Sequence, residues 1–303
     1  MKLRAHAKIN LTLAVLGTRP DGYHQLRTVF QSLALHDTLR FDPFSQEFSI
    51  ACATPGVPAD ERNLVWKAAR LVWQAAGRPG EPVGRVSIVK RIPVQGGLGG
   101  GSADGAAALV GWNRTWETRL SAAALRGLAA RLGADVPFFL CAGTALGVDR
   151  GDDVRPLDDA RARWVVLVMP SFGVSTPQAF HWWDEDAGGP ARSGSAEAGS
   201  TGADPLAVFN DLEAPVVRRH PQLAEIRDRL LGAGASAAAM TGSGSTMFGL
   251  FGTEADAKWA GAALRDARWR IVLTRTATRR DACLVLPVDV EESPSRAGRI
   301  AGA

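Results

Sequence analysis

The stretch "RVSIVKRIPVQGGLGGGSADGAAAL" (85–109) constrains the fold more than any other. "RVSIVKRI" (85–92) has the apolar alternation of a strand. Five glycines then fall between Gly96 and Gly101, and a helix of small residues starts near Ser102. Strand, glycine loop and helix start, in that order, make an anion site. Glycines let backbone N–H groups point inward, and the helix dipole adds about half a positive charge at that end. Phosphate is the anion that suits it. The loop is not a P-loop, because G-x-x-x-x-G-K-[ST] is absent. It is not a dinucleotide fingerprint either, because no acidic residue ends a second strand about 20 residues on. A close strand–helix crossing that binds nothing is the plainer reading of such glycines, and it is the weaker one for a run this long.

Further strands are expected at "INLTLAV" (9–15), "QLRTVFQSLAL", "TLRFDPF" and "EFSIACA" (47–53), with a tight turn at "PDGY" (20–23). "NLVWKAARLVWQAAG" (63–77) reads as a helix capped by Asn63 and stopped by Gly77. "SAAALRGLAARLG" (121–133) reads as another, capped by Ser121. Later come strands at "ALGVDR" and "RWVVLVMP" (163–170), then a helix at "PQLAEIRDRLLGAGA". "SAAAMTGSGSTMFGLFG" reads as strand, glycine turn, strand. A helix near 254–268 and strands at 270–276 and 282–288 follow. The segment 184–203 is poor in hydrophobics and is expected to be a mobile surface insertion, and the tail 291–303 to be disordered. Helices and strands mix without strict alternation, so the expected class is α+β.

Composition removes several functions. The chain has 303 residues, 46% hydrophobic, which suffices for a large core. Net charge is +4, with only five lysines (2, 8, 67, 90, 258) and no basic run interleaved with aromatics. That argues against nucleic acid as partner and suits an anionic small molecule. Cys52, Cys141 and Cys283 form no CxxC pair or zinc-spaced cluster, so buried reduced thiols in a cytoplasmic protein are expected. "MKLRAHAKINLTLAVLG" looks superficially like a signal peptide, but Asn10 and Thr12 interrupt its apolar stretch and "TRPDGYH" follows it. No apolar run approaches the roughly 18 residues of a membrane span.

"PVQGGLGGGSAD" resembles the phosphate-binding motif of the GHMP kinases, the family of galactokinase, homoserine kinase and mevalonate kinase. "AKINLTLAVLGTRPDGYHQLRTVFQSLALHDTL" (7–39), "LGADVPFFLCAGTALG" (132–147) and "TGSGSTMFGLF" (241–251) are similar, in order, to one branch of that family. That branch uses ATP to phosphorylate the 2-hydroxyl of a diphosphocytidyl-linked methylerythritol, in non-mevalonate isoprenoid synthesis. The resemblance implies an N-terminal α/β domain over 1–160, a C-terminal ferredoxin-like domain over 161–290 and an active site between them.

It also implies roles. Lys8 and Asp135 match the catalytic pair, Asp135 as the base that takes the hydroxyl proton and Lys8 holding it ionised. Pro93, Val94, Gln95, Gly96, Gly97, Leu98, Gly99, Gly100, Gly101, Ser102 and Ala103 match the ATP-binding segment. Asn10, Tyr23, His24, Thr176, Phe180, Gly242, Ser243 and Gly244 match substrate segments. Tyr23 and Phe180 would be the two faces of a cytosine sandwich. Ala103 and Gly105 depart from the family, which commonly has serine and alanine there; Ser102 remains as a hydroxyl for phosphate or metal. Mg²⁺ is expected with ATP, without an unambiguous acidic ligand. The plainer readings are a snorkelling lysine at 8, a turn-capping aspartate at 135 and packing aromatics at 23 and 180. The rival functions are another small-molecule kinase of the family, of homoserine or mevalonate type, and a nucleotide-binding module without catalysis. "RPDGYH" speaks against the first, Lys8 and Asp135 against the second.

Overall fold

β1 (Lys2–Thr18) and β2 (His24–Asp42) form a long antiparallel hairpin that is the spine of the larger sheet. The computed structural model that shows this describes residues 1–94, 96–186 and 208–284. The expectations for Gln95, for 187–203, for the end of the strand at 282–288 and for the tail lie outside those residues. The hairpin turns where expected, with Tyr23 O accepting from Arg19 N at 2.7 Å. The two strands expected between residues 25 and 44 are one, because His36 and Asp37 stay extended opposite His6 and Ala5.

There follow β3 (Ser49–Cys52), α1 (Leu64–Ala75), β4 (Arg85–Val89), α2 (Gly100–Thr115), α3 (Ala122–Leu132), α4 (Val136–Cys141), β5 (Thr144–Asp149) and β6 (Asp153–Pro156). Asn63 caps α1 by accepting from Val65 N, and Ser121 caps α3 by accepting from Ala124 N. Helix α1 buries Val65, Ala68, Ala69, Val72 and Trp73, the stripe that its apolar spacing dictates. Helix α4 had no counterpart in the sequence reading. Pro137 stands in its first turn, where a missing N–H costs nothing.

The second half contributes β7 (Trp164–Pro170), α5 (Thr176–Asp186), β8 (Phe209–Asn210), α6 (Glu213–Arg219), α7 (Gln222–Gly232), β9 (Ala237–Met240), β10 (Met247–Phe251), α8 (Glu254–Ala263), β11 (Trp269–Arg275) and α9 (Arg279–Ala282). Helix α5 corrects the expectation of an insertion beginning at Asp184, since 184–186 are helical and ion-paired. Its start carries a reciprocal cap: Gln178 N donates to Ser175 Oγ and Ser175 N to Gln178 Oε1, each at 3.4 Å.

The larger sheet runs β3-β4-β2-β1-β8, with β5 and β6 extending from the other half of β2. The smaller runs β11-β7-β10-β9, every pairing antiparallel, which is the ferredoxin-like order. The fold is α+β, as expected. The sheets share a core in which Ala7, Ile9 and Leu11 of β1 meet Val165, Leu167 and Phe248. No helix among the described residues is long and apolar enough to cross a membrane. The three cysteines form no disulfide and are half-buried rather than buried as expected; partial burial still pushes the Cys141 thiol up to about 11.

Candidate active site

Residues Ala5–Leu13 of β1 are buried without a break, yet every second one is polar: His6, Lys8, Asn10, Thr12. A charge so placed needs a partner. Register shifts between His6 and Lys8, and between Asn10 and Thr12, isolate Lys8 and Asn10 between two bulges. The Lys8 side chain is 4% exposed, and its Nζ lies 3.4 Å from Asp135 Oδ2, on a carboxylate 38% exposed. Lys8 Nζ also donates to Asn10 Oδ1 at 2.8 Å. Lys8 therefore does not snorkel out. Asp135 precedes α4 but makes no capping bond; its carboxylate is turned to the lysine.

Asn10 is more committed than the sequence suggested. Its Nδ2 donates to Thr28 Oγ1 at 2.7 Å, and Thr28 in turn donates to Thr12 O at 2.6 Å. Thr241 Oγ1 accepts from Asn10 N and donates to Asn10 Oδ1. Both ends of the amide are used by protein groups, so Asn10 here orients Lys8. The sequence reading missed Thr28 and Thr241, whose hydroxyls gain meaning only once β1, β2 and the 241–245 turn are brought together. Thr28→Val removes the Asn10 partner with little change of shape. Its expected result is a kcat lowered about tenfold or more through a loosened Lys8, with the KM for ATP unchanged, read from initial rates.

The glycine loop is wedged against this group. Leu98 O accepts from Lys8 N at 3.0 Å. Gly97 has φ +71°, and a Cβ there would stand 2.5 Å from Thr241 O. Gly99 occupies the position before α2, so no side chain caps the first turn and its N–H groups face the loop. Pro93, Val94, Gly96 through Gly101 and Ser102 line a cavity of about 340 Å³, whose far wall is Val57, Pro58 and Leu64. Ala103 is not on it but fully buried in the core beneath. Gly105 has a packing reason: a Cβ there would come to 3.1 Å from Leu132 and 3.2 Å from Leu64.

Under the loop lies a polar cluster absent from the sequence reading. Lys90 Nζ donates to Asp37 Oδ2 at 2.5 Å and to Asp104 Oδ2 at 2.7 Å. Asp37 Oδ1 accepts from the N–H groups of Arg91 and Ile92. Burial pushes the Asp104 carboxyl up to about 7, against the pull of Lys90.

On the other side of the loop is a cleft of about 710 Å³. Lys8, Asn10, Asp135, Tyr23, His24, Thr176, Phe180, Gly242 and Ser243 all line it, and Gly97 and Gly99 line both cavities. Gly244 does not; it is packed on Met240. Thr176 Oγ1 lies 3.3 Å from Ser243 Oγ, and Asn210 holds the 241–245 turn by donating to Met240 O and Gly242 O. The expected sandwich of Tyr23 and Phe180 is not assembled. Phe180 is stacked on His24 at 4.5 Å, whereas Tyr23 is 59% exposed under the Arg150 guanidinium. Among the described residues no three His, Cys, Asp or Glu side chains converge as a metal cluster would.

The chain is similar to known proteins over most of its length. Residues 63–143 match the GHMP kinases N terminal domain, and residues 197–269 the GHMP kinases C terminal domain. A 4-diphosphocytidyl-2-C-methyl-D-erythritol kinase of Pelotomaculum thermopropionicum is 42% identical over 90% of this chain and 96% of its own length. The enzyme of that name from Symbiobacterium thermophilum is 41% identical over 82% of this chain and 90% of its own. A crystal structure of 4-(cytidine 5'-diphospho)-2C-methyl-D-erythritol kinase superposes with a TM-score of 0.76 at 36% identity, covering 91% of this chain and 99% of that one. A homoserine kinase from Cytophaga hutchinsonii shares the fold at 18% identity, with a TM-score of 0.63 over 89% of this chain and 95% of its own.

Proposed function

The chain belongs to the 4-diphosphocytidyl-2-C-methyl-D-erythritol kinases of the GHMP family, ATP-dependent kinases of small molecules, and we propose that its two cavities meet at the point of phosphoryl transfer. The reaction moves the γ-phosphoryl group of ATP to the 2-hydroxyl of 4-diphosphocytidyl-2-C-methyl-D-erythritol, giving the 2-phosphate and ADP on the non-mevalonate route to isoprenoid precursors. Because cells keep ATP in the cytoplasm, the proposal has the enzyme act there.

One observation carries the mechanism: the Lys8–Asp135 pair stands in the larger cleft beside Gly97 and Gly99, the two glycines shared with the smaller cavity. ATP would lie along Gly96–Ser102 with its phosphates on the uncapped start of α2. The diphosphocytidyl alcohol would lie along Tyr23, His24, Thr176 and Phe180. Asp135 takes the hydroxyl proton as the new O–P bond forms and the bond to ADP breaks. Lys8, 3.4 Å from that carboxylate, offsets the charge on the transferring group.

Mg²⁺ is the finer part of it. Ser102 and Asp104 line the ATP cavity beside the loop, and among the described residues no three His, Cys, Asp or Glu side chains converge. That donor set fits an ion held mainly by phosphates and water. Such an ion would spread the negative charge of the phosphates; Ser102 would offer it a hydroxyl, while the Asp104 carboxylate on the same cavity is engaged by Lys90.

The deciding assay is ADP release with ATP, Mg²⁺ and the diphosphocytidyl substrate, against homoserine and mevalonate. Turnover with either of the latter and none with the former would leave the kinase and remove the substrate. The loop has a separate test. A side chain at Gly100 would meet Ile92 at 2.9 Å, whereas nothing lies within 4 Å at Gly101. Gly101→Val should raise the KM for ATP about tenfold or more with the melting temperature nearly unchanged. Gly100→Val should lower the melting temperature as well, because its methyls would enter the core.

A further inference from the structure

The register of the larger sheet gathers charges that lie far apart along the chain. Lys2 stands opposite Arg40, and Arg4 opposite Thr38. In the next pairing Arg40 stands opposite Ser87, Thr38 opposite Val89 and Asp42 opposite Arg85. Residues directly opposite one another share a face of the sheet. Lys2, Arg4, Arg40 and Arg85 therefore project together. Arg91 joins them, because its guanidinium donates to Thr38 Oγ1 at 3.3 Å. The reverse face of these strands is apolar and lies in the core with α1 and α2.

All five cations are exposed, and none of them is ion-paired among the described residues. Asp42 is the one acid that the register puts on this face. Five cations against one carboxylate amount to the whole formal charge of the chain, +4, so the remaining sequence balances to zero. The surface turns apolar at one end of the patch. Phe44, two residues beyond Asp42, is 87% exposed, and Met1, whose amine donates to Phe41 O, is 45% exposed. Val89 stands among the arginines and is 49% exposed.

We propose that this face is a docking surface for a bilayer with anionic headgroups, with Phe44 entering the interface. A bilayer is broad and negatively charged where the sheet is broad and positive. The guanidinium fork suits headgroup phosphates, and an exposed phenyl beside cations suits the boundary between headgroups and acyl chains. Nucleic acid fits less well: no aromatic ring stands between the arginines to stack a base, and an open sheet face has no helix or ribbon to enter a groove. A second copy would bring the same charge to the same place. Docking would leave the substrate cleft open. Tyr23 and His24 on its wall are at the other end of the hairpin, where Thr18 pairs with His24, roughly 50 Å of strand from the Lys2–Arg40 pair.

The test is co-sedimentation of the full chain with vesicles of phosphatidylcholine, alone or with about 30% phosphatidylglycerol. The protein should bind the second and not the first, and about 0.5 M salt should release it. A variant carrying Arg4→Glu, Arg40→Glu and Arg85→Glu should bind about a hundredfold more weakly or worse, with kcat unchanged. One carrying Arg126→Glu, Arg265→Glu and Arg270→Glu has the same net charge, placed on exposed positions elsewhere, and should stay within about threefold of wild type. Phe44→Ser should weaken binding about fivefold, and this arm and the lipid comparison stand if a triple variant does not fold. No binding by the wild-type protein, or equal losses in the two triple variants, overturns the proposal. Unchanged binding by Phe44→Ser, or tighter binding to an RNA of about 20 nucleotides than to the vesicles, overturns the bilayer as the occupant.

Discussion

Asp135→Asn should lower kcat by about 10²–10⁴ while both substrates still bind. Asparagine fills the same space but cannot accept the hydroxyl proton. The attacking hydroxyl oxygen then keeps its proton in the transition state, and Lys8 loses the anion 3.4 Å from its Nζ. The Asp135 carboxylate is 38% exposed, and the buried Lys8 ammonium keeps its bond to Asn10 Oδ1, so the variant should lose little stability. The melting temperature should therefore hold. The measurement is ADP release at saturating ATP and acceptor, with acceptor affinity read separately by calorimetry. A kcat within tenfold of wild type would mean that the proton leaves by another route. A lost affinity would mean that Asp135 holds the acceptor rather than activating it.

The second large effect is on stability. Lys90→Met should destabilise the fold by about 3–5 kcal/mol, because it leaves Asp37 and Asp104 buried without their cation. The Lys90 side chain is 6% exposed, Asp37 0% and Asp104 5%. Asp37 also accepts from the backbone at Arg91 and Ile92, so the cluster ties β2, the approach to the glycine loop and the first turns of α2 into one unit. The pH dependence has a definite sign. Burial raises the Asp104 carboxyl from 3.8 to about 7, so the folded chain binds more protons than the unfolded one between those values. Stability from this group is present below the unfolded value and lost as pH rises through about 7. Without Lys90 the ionised carboxylate is worse placed still, so the deficit of the variant should be larger at pH 8 than at pH 6. Urea melts at both pH values read it. A deficit under about 1 kcal/mol, or one that shrinks with pH, would mean that water or rearrangement replaces the lysine.

Much of this molecule is legible one segment at a time. The glycine loop, the caps at Asn63 and Ser121 and the glycine turn at 241–245 are local devices, written in adjacent residues. What resists reading is polar chemistry that spans the chain. Thr28 in β2 looks like an ordinary strand threonine until Asn10 arrives opposite. Asp37, within "ALHDTL", is explained by a lysine just past the end of β4 and the backbone beyond it. Asp184 falls in an acidic, glycine-poor lead-in to a low-hydrophobic segment and reads as surface, although the S-T-P-Q cap of its helix stood nine residues earlier at Ser175. The arrangement of the aromatic faces resists reading for a related reason. The family resemblance names Tyr23 and Phe180, but the packing of α5 against the start of β2 decides that Phe180 meets His24.

The apolar layer between the two sheets bears on how this enzyme could be blocked. Separating Ala7, Ile9 and Leu11 from Val165, Leu167 and Phe248 would expose surface at about 25 cal/mol per Å². The halves therefore have little freedom to swing apart, and the span from the nucleotide phosphates past Gly97 to Asp135 is set once the chain has folded. A single inhibitor that joins both cavities through a rigid linker would meet a receptor already shaped to it. Its linker length, more than its flexibility, would govern its affinity.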